Sequence, residues 1–325
     1  MHLEASMPSS PPGHVITLSL NPTIDRILEV PGLRVGDHLQ GRLLARQPAG
    51  KAVNVSRALV TLWTRSTVVG WVAADTAALL EDFLEDMGVR ARLIPIAGQA
   101  RENITLIDPQ AGTETHIRDV GPTVTPPDVS RLVEVLDEVA DERCLAVVTG
   151  SAPPGLSPDG WAGLVEGLLG RGATVAVDAS GELLRRAAER PVWLLKPNLR
   201  ELGELVGRRV ESQEEILEIG RRLNRQIAVV LVTLGSGGAY AFAEGRVWRG
   251  RTRLPQTEVR STVGCGDSFL AGFLAGCLDP GRPMPSRLQQ ALAVAAASAL
   301  TDRPAVFEPD AVRSCQERTE VVEIT

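Results

Sequence analysis

The sequence predicts an α/β protein in which a doubly wound, mostly parallel sheet carries helices on both faces and a second, smaller β-sheet stands apart from it. Three observations predict it. Short apolar, β-branched runs alternate with longer helix-patterned segments; the strand runs are almost continuously apolar; and two segments break the pattern with polar alternation and tight turns.

The alternation begins with VITLSL at 15–20, a helix-patterned segment at 51–63, STVVGWV at 66–72 and an amphipathic stretch at 76–87. It resumes with CLAVVTG at 144–150, a helix over 157–171, ATVAVDAS at 173–180, a helix over 181–189 and VWLLKPN at 192–198. Helices over 199–206 and 211–224 and the run IAVVLVTLG at 227–235 complete it. Strands this apolar leave neither face for water, so helices must cover both. The two exceptions, 24–46 and 92–119, read as half-buried strands. As insertions between βα units, they either meet as a lid over the end of the main sheet or stay two separate surface hairpins. Residues 1–13, MHLEASMPSSPPG, lack a cationic start and an apolar core. They read as a disordered polar leader and not a signal peptide, with 14–325 as one domain.

Composition narrows the function classes. At 44% hydrophobic and 23% charged, the 325 residues match a soluble globular chain. The formal net charge of −6 argues against nucleic acid or an anionic membrane as partner and makes any phosphate binding local. No apolar run reaches about 18 residues, so no membrane span is expected. Cys144, Cys265, Cys277 and Cys315 lie far apart without a Cys-x-x-Cys pair, which fits a reducing, cytoplasmic setting and neither a zinc site nor a disulfide framework. Basic residues are nearly all arginine; the two lysines, Lys51 and Lys196, both fall in glycine- or proline-marked motifs. Keeping lysine only there points to a need for a compact ammonium charge.

Four segments carry chemistry. STVGCGDSFLAG at 261–272 is a glycine-bracketed turn running into an apolar helix, where Gly264 and Gly266 let amides converge on an anion at a helix N-terminus. Asp267 there is either a first-turn carboxylate or a base that accepts a proton from an attacking hydroxyl. Thr233 to Gly238, with Gly235, Ser236 and Gly237 between, follows an apolar strand; it lacks Gly-Lys-Ser/Thr and is either a phosphate-side loop or a hairpin turn. Gly50, Lys51 and Asn54 open the helix at 51–63 and can surround one pocket. Lys196, Asn198 and Glu201 follow a strand; the last two reach magnesium-bound waters or cap the next helix.

Together these segments resemble the phosphofructokinase-B family of ribokinase-like sugar kinases, from Val15 to about Val312. AGKAVNVSRAL (49–59), TGSAPPG (149–155), KPNLREL (196–202) and STVGCGDSFLAG (261–272) stand in the family's order and spacing. The resemblance implies ATP on the core domain, a sugar beneath a small β-sheet lid, and Mg2+ with the nucleotide. It implies Asp267 as catalytic base, with Gly264, Cys265 and Gly266 as the anion hole. Lys196, Asn198, Thr233, Gly235, Ser236, Gly237, Gly238 and Gly266 would serve the nucleotide, and Asn198 and Glu201 the metal through water. Asp25, Gly50, Lys51, Asn54 and Ser151 would hold the sugar; Arg101 would take its existing phosphate, with Arg118 as a second candidate.

The wording Pro-Ala-Gly-Lys at 48–51 is most similar to the branch that converts fructose 1-phosphate to fructose 1,6-bisphosphate. Tagatose 6-phosphate and fructose 6-phosphate kinases share nearly every motif. A non-catalytic sugar-phosphate sensor is the rival from another class, and a dinucleotide oxidoreductase lacks its glycine fingerprint. Two departures bear on the site. Ala52 replaces the usual glycine and would tighten the sugar's approach; Cys265 replaces the usual alanine and would make the site sensitive to thiol reagents. A homodimer through the exposed lid sheet is the expected assembly.

Overall fold

A computed structural model describes residues 12–324, so most of the leader expected at 1–13 lies outside the described residues. The strands are β1 (His14–Ser19), β2 (Thr23–Glu29), β3 (Arg42–Ala49), β4 (Ser66–Ala73), β5 (Arg90–Ile96), β6 (Glu102–Asp108) and β7 (Thr113–Arg118). There follow β8 (Cys144–Thr149), β9 (Thr174–Asp178), β10 (Leu194–Leu195), β11 (Val229–Thr233), β12 (Ala239–Ala243), β13 (Arg246–Thr252) and β14 (Thr319–Ile324). The helices are α1 (Lys51–Thr61), α2 (Ala77–Asp86), α3 (Pro126–Val139), α4 (Pro158–Gly170) and α5 (Gly181–Ala188). The second half adds α6 (Leu199–Val206), α7 (Gln213–Asn224), α8 (Cys265–Cys277), α9 (Met284–Ala299) and α10 (Pro309–Glu317).

Ten strands form the main sheet in the order β14-β13-β12-β11-β10-β9-β8-β1-β4-β5. From β5 through β11 every pairing is parallel; β11 to β14 are antiparallel. Alternation along each central strand feeds two cores. Ile16 and Leu18 of β1 join Cys144, Ala146 and Val148 of β8 on one face, while Val15 joins Leu145 and Val147 on the other. Burial on both faces is why these strands read as unbroken apolar runs. Helix starts carry their own signals: Ser157 caps α4 ahead of Pro158, and Ser212 with Glu215 closes a capping box on α7.

Four strands form the small sheet in the order β3-β2-β6-β7. It gathers the two polar segments, but the second begins later than the 92–119 boundary implies. Residues 92–96 belong to β5, which pairs with β4 at the edge of the main sheet. An edge strand with one wet face alternates as a lid strand does, so the pattern alone cannot separate them.

After β1 the chain feeds β4 on one side and, after passing β5, returns to β8 on the other, so the strand order reverses between β1 and β8. Ligands in open α/β sheets bind at such a switch point, outside the carboxyl ends of the strands. Asn21 follows β1 and Ser151 follows β8, and Asn21 Nδ2 donates to Ser151 Oγ across the gap at 3.3 Å.

Candidate active site

The carboxyl ends of the parallel strands place most of the polar side chains that matter. Asp178 ends β9, Lys196 follows β10, Thr233 ends β11, and Ser151 follows β8. α1 enters the same region from the small sheet, with Gly50 as its N-cap and Lys51 as its first residue. α8 enters from the opposite half of the chain, beginning at Gly264.

Gly264 adopts φ 76°, and an ideal Cβ there would stand 2.9 Å from Pro304 Cβ and 3.0 Å from Ala305 N. Both the backbone conformation and the close approach require glycine. Helix α8 therefore starts with a sharp turn, and the amides of Gly266 and Asp267 have no intrahelical acceptor, as in any first turn. Gly266 keeps the space in front of them open: a Cβ there would be 3.8 Å from Lys196 Nζ. Arg57 of α1 braces the neighbouring loop by donating from Nη1 to Pro304 O at 2.8 Å, with its guanidinium over the Phe83 ring.

Asp267 is buried, and Asn54 Nδ2 donates to its Oδ2 at 2.8 Å. Burial pushes its pKa up to about 6, with the Asp178 charge adding to the rise; Lys51, the Asn54 hydrogen bond and Lys196 oppose it. A carboxylate with that value is ionised at neutral pH yet far more basic than a surface aspartate. The Asn54 amide nitrogen, expected at a sugar pocket, is committed to Asp267, and its Oδ1 is left buried without a partner among the described residues.

Asp178 was not legible as a site residue. It is fully buried, and a single oxygen, Oδ1, lies 3.2 Å from both Lys51 Nζ and Lys196 Nζ. Burial alone would raise its pKa, but Lys196 and Lys51 together hold it below the ordinary carboxylate value. Burial pulls Lys51 down in turn, and Asp178, Asp267 and Glu201 outweigh that and raise it. The available signal was an acid closing the apolar run of β9 at a strand's carboxyl end.

Lys196 leads into α6, where Asn198 and Glu201 form a capping box: Glu201 N donates to Asn198 Oδ1 and Asn198 N to Glu201 Oε2, both at 2.9 Å. Of the two roles open to this pair, capping is thus realised, and Glu201 Oε1 stays uncommitted to the cap. Glu201 is nonetheless buried and lies close enough to Lys51 to raise it, so it faces the site. Thr233 bridges to Asn198, its amide donating to Pro197 O at 3.1 Å. Residues 233–238 form the turn between β11 and β12, in which the amides of Gly237 and Gly238 are spent on Leu234 O and Gly235 O. Gly235 and Ser236 are exposed. Gly238 has φ 91°, and a Cβ there would meet Gly250 O at 2.0 Å, so glycine is obligatory for packing this turn on β13.

The small sheet brings up the remaining residues. Asp25 of β2 is in register with Asn103 of β6, which is in register with Arg118 of β7. Asn103 Nδ2 donates to Asp25 Oδ1 at 3.1 Å, while its Oδ1 accepts from Arg101 Nη2 at 3.2 Å. Arg101 Nη1 also reaches Ser151 Oγ at 3.4 Å. Burial raises Asp25, against Asn103, Arg101 and Arg57; burial lowers Arg101. Arg101, Asn21, Thr23 and Pro48 line a pocket beneath the small sheet. Asn103, two residues beyond Arg101, is a second residue that the sequence reading passed over. Its signal was its place on the Arg101 face of the strand, two positions along.

Both departures from the motif lie at helix starts, Ala52 as the second residue of α1 and Cys265 as the first of α8. Ala52 is 3% exposed, as buried as the site residues Lys196 and Asp267. Burial pushes the half-buried Cys265 thiol up to about 11, which disfavours the thiolate that thiol reagents attack.

A model of the pfkB family carbohydrate kinases matches residues 16–309. The chain belongs to that family. It is 33% identical to 1-phosphofructokinase of Bacillus subtilis over 263 residues, covering 81% of this chain and 85% of that one. It is 30% identical to 1-phosphofructokinase of Escherichia coli, with coverages of 89% and 94%. Phosphofructokinase-2 of Escherichia coli with potassium superposes with a TM-score of 0.87 at 22% identity, covering 94% of this chain and 98% of that one. The tetrameric inhibited form of that enzyme gives a TM-score of 0.86 at the same identity and coverage. The pfkB membership makes this chain a phosphotransferase with an alcohol group as acceptor. Among the described residues, no helix is long and apolar enough to cross a membrane.

Proposed function

We propose that this pfkB kinase moves the γ-phosphoryl group of ATP to fructose 1-phosphate, giving fructose 1,6-bisphosphate and ADP, with Asp267 as the base. The observation that carries the reading is the buried Asp267, held by Asn54 and tuned to about 6, at the glycine turn that opens α8. The substrate follows the 1-phosphofructokinase relatives, which extend over 81–89% of the chain.

Oδ2 of Asp267 accepts from Asn54, which leaves Oδ1 for the attacking hydroxyl. The hydroxyl proton passes to Asp267 as the sugar oxygen bonds to the γ-phosphorus and the bond from that phosphorus to the bridging oxygen of ADP breaks. Gly264, Cys265 and Gly266 shape the anion hole, and Lys196 Nζ beside Gly266 adds positive charge where negative charge accumulates. Thr233 and the 235–238 turn lie along the nucleotide.

On the sugar side, Asp25, Gly50, Lys51 and Ser151 surround the hydroxyls, and Asn54 completes the pocket while holding Asp267. Arg101, with Arg118 in electrostatic reach, meets the phosphate already present.

Among the described residues, no three acidic, histidine or cysteine side chains are grouped to hold a metal ion. That fits Mg2+ carried chiefly by nucleotide phosphates and waters, with Glu201 and Asn198 as outer contacts. When bound, Mg2+ neutralises phosphate charge. ATP as donor and four free thiols fit the cytoplasm. Leu43, Leu44 and Ile117 expose apolar surface on the small sheet, the face on which a second copy would pair.

The test is an assay of ADP release with magnesium-ATP against fructose 1-phosphate, fructose 6-phosphate, tagatose 6-phosphate and unphosphorylated fructose, with Asp267→Asn alongside. Fructose 1-phosphate should drive release and the variant should lose it while binding both ligands. Binding without release by the unaltered protein would replace this reading with a sugar-phosphate sensor.

A further inference from the structure

The two lysines of the chain are 145 positions apart in sequence, yet both end at one atom, Asp178 Oδ1, each at 3.2 Å. The carboxylate is fully buried and its other oxygen, Oδ2, has no partner among the described residues. Among the described residues no other polar contact orients its side chain, so the lysines and the carboxylate hold one another. The two ammonium groups differ in what they can reach. Lys51 keeps 38% of its side chain exposed at the start of α1, whereas Lys196 keeps 5% and lies next to Gly266.

We propose that Asp178 is a positioning residue, a clamp by which one buried carboxylate sets both the sugar-side Lys51 and the nucleotide-side Lys196 in place. The assignment rests on the kinase reading of the site given above. A lysine stem has four rotatable bonds, and two unanchored ammonium groups this near each other would repel and scatter. Shared ownership of Oδ1 removes that freedom before substrate arrives, so the positive charge is already in place when phosphoryl transfer begins. Two compact ammonium point charges suit this shared contact better than two planar guanidinium forks.

The geometry separates a clamp from a direct ligand by a thermodynamic cycle. The variants are Asp178→Asn, Lys51→Met, Lys196→Met, the double lysine variant, and that double variant with Asp178→Asn added. The readouts are KM for each substrate, ATP binding by calorimetry, and melting temperature. A clamp predicts that Asp178→Asn raises KM for both fructose 1-phosphate and ATP at least tenfold. Lys51→Met should act mainly on the sugar and Lys196→Met mainly on the nucleotide. In the double lysine background, adding Asp178→Asn should change ATP affinity less than twofold and raise the melting temperature, because it removes a buried charge that has lost its partners.

The clamp is overturned if Asp178→Asn leaves both KM values within twofold of the unaltered protein. It is equally overturned if the substitution weakens ATP binding as much without the lysines as with them, since Asp178 would then meet nucleotide or metal itself. Should Asp178→Asn alone not fold, the triple variant leaves no unpaired charge and carries the same binding comparison. If no sugar phosphate supports ADP release by the unaltered protein, the kinase reading fails, while the binding and melting cycle still decides the clamp.

Discussion

Asn54 and Asp267 stand 213 positions apart in the chain, yet Asn54 Nδ2 donates to Asp267 Oδ2 at 2.8 Å in a buried setting. The bond joins the first turn of α1 to the first turn of α8, so the helix that arrives from the small sheet orients the carboxylate on the core helix. An amide donor to a buried carboxylate favours its ionised form. Orientation and basicity of Asp267 are thereby set by the same contact.

Asn54→Ala should raise the Asp267 pKa above about 6, because it deletes one of the groups that hold it down. A hydrogen bond to a charged group is worth roughly 1.5–3 kcal/mol, which corresponds to a rise of about 1–2 pH units. The acid limb of kcat/KM should move up by that amount, and activity at pH 7 should fall about two- to tenfold through protonation alone. A pH–rate profile of the variant whose limb coincides with that of the unaltered protein would show that the bond does not tune the base.

The raised value of Asp267 also enters stability. Its folded pKa of about 6 exceeds the ordinary 3.8, so between those values the folded chain binds more protons than the unfolded one. Stability contributed by this group is therefore present below about 3.8 and lost as pH rises through about 6. Asp267→Asn should abolish ADP release yet stabilise the fold at pH 7–8, on the order of 3 kcal/mol, with most of the gain gone near pH 4. Urea unfolding of both proteins across that range reads the difference directly. A variant less stable at pH 8 than the unaltered protein would mean that the carboxylate is not held under electrostatic strain.

The division between what the sequence disclosed and what it hid follows from range. Alternating apolar strands and helices are local patterns, so α6 at Leu199–Val206 could be placed residue for residue and the parallel sheet inferred. Gly264 and Asp267 were legible because a glycine turn and a helix start are also local. Asp178 was not, because its meaning lies in two lysines 127 and 18 positions away, and as a sequence it only closes a strand. β5 was misplaced for a related reason: an edge strand of the main sheet and a lid strand both alternate, and only its pairing with β4 tells them apart.

Gly264→Ala should disable the enzyme through backbone geometry. The residue sits at φ 76°, and its new Cβ would press on Pro304 and Ala305 at 2.9–3.0 Å. A left-handed conformation costs a non-glycine residue roughly 1–2 kcal/mol, and relief of the contact would shift the start of α8. Loss of that order in stability should accompany a much larger loss of kcat, since the anion hole and Asp267 move together. Equal, modest losses in both quantities would leave the anion hole without support.

Cys265 should resist alkylation. A thiol pKa near 11 leaves only about one part in several thousand as thiolate at pH 7.5. Incubation with iodoacetamide should leave activity intact over the time that a free surface thiol is consumed, and Cys265→Ala should retain kcat within about threefold. Rapid inactivation by the reagent, prevented in Cys265→Ala, would mean that the thiol is more exposed and more acidic in solution than its burial implies.

If Arg101 meets the sugar's existing phosphate, as proposed, recognition of that phosphate separates from chemistry at the other end of the sugar. Its guanidinium is held by Asn103 Oδ1 and reaches Ser151, which fixes the fork in place over the pocket beneath the small sheet. A charge-assisted contact to phosphate is worth roughly 1.5–3 kcal/mol, so Arg101→Ala should raise KM for fructose 1-phosphate by about ten- to a hundredfold. The KM for ATP should stay put, and kcat should change far less than KM, because the contact is the same in the ground and transition states. The preference for fructose 1-phosphate over unphosphorylated fructose should shrink by the same factor. Arg101→Lys should recover only part of it, since a point charge cannot reproduce the fork. A variant that loses kcat while retaining its phosphosugar preference would move the phosphate site elsewhere, with Arg118 on the neighbouring strand as the next residue to change.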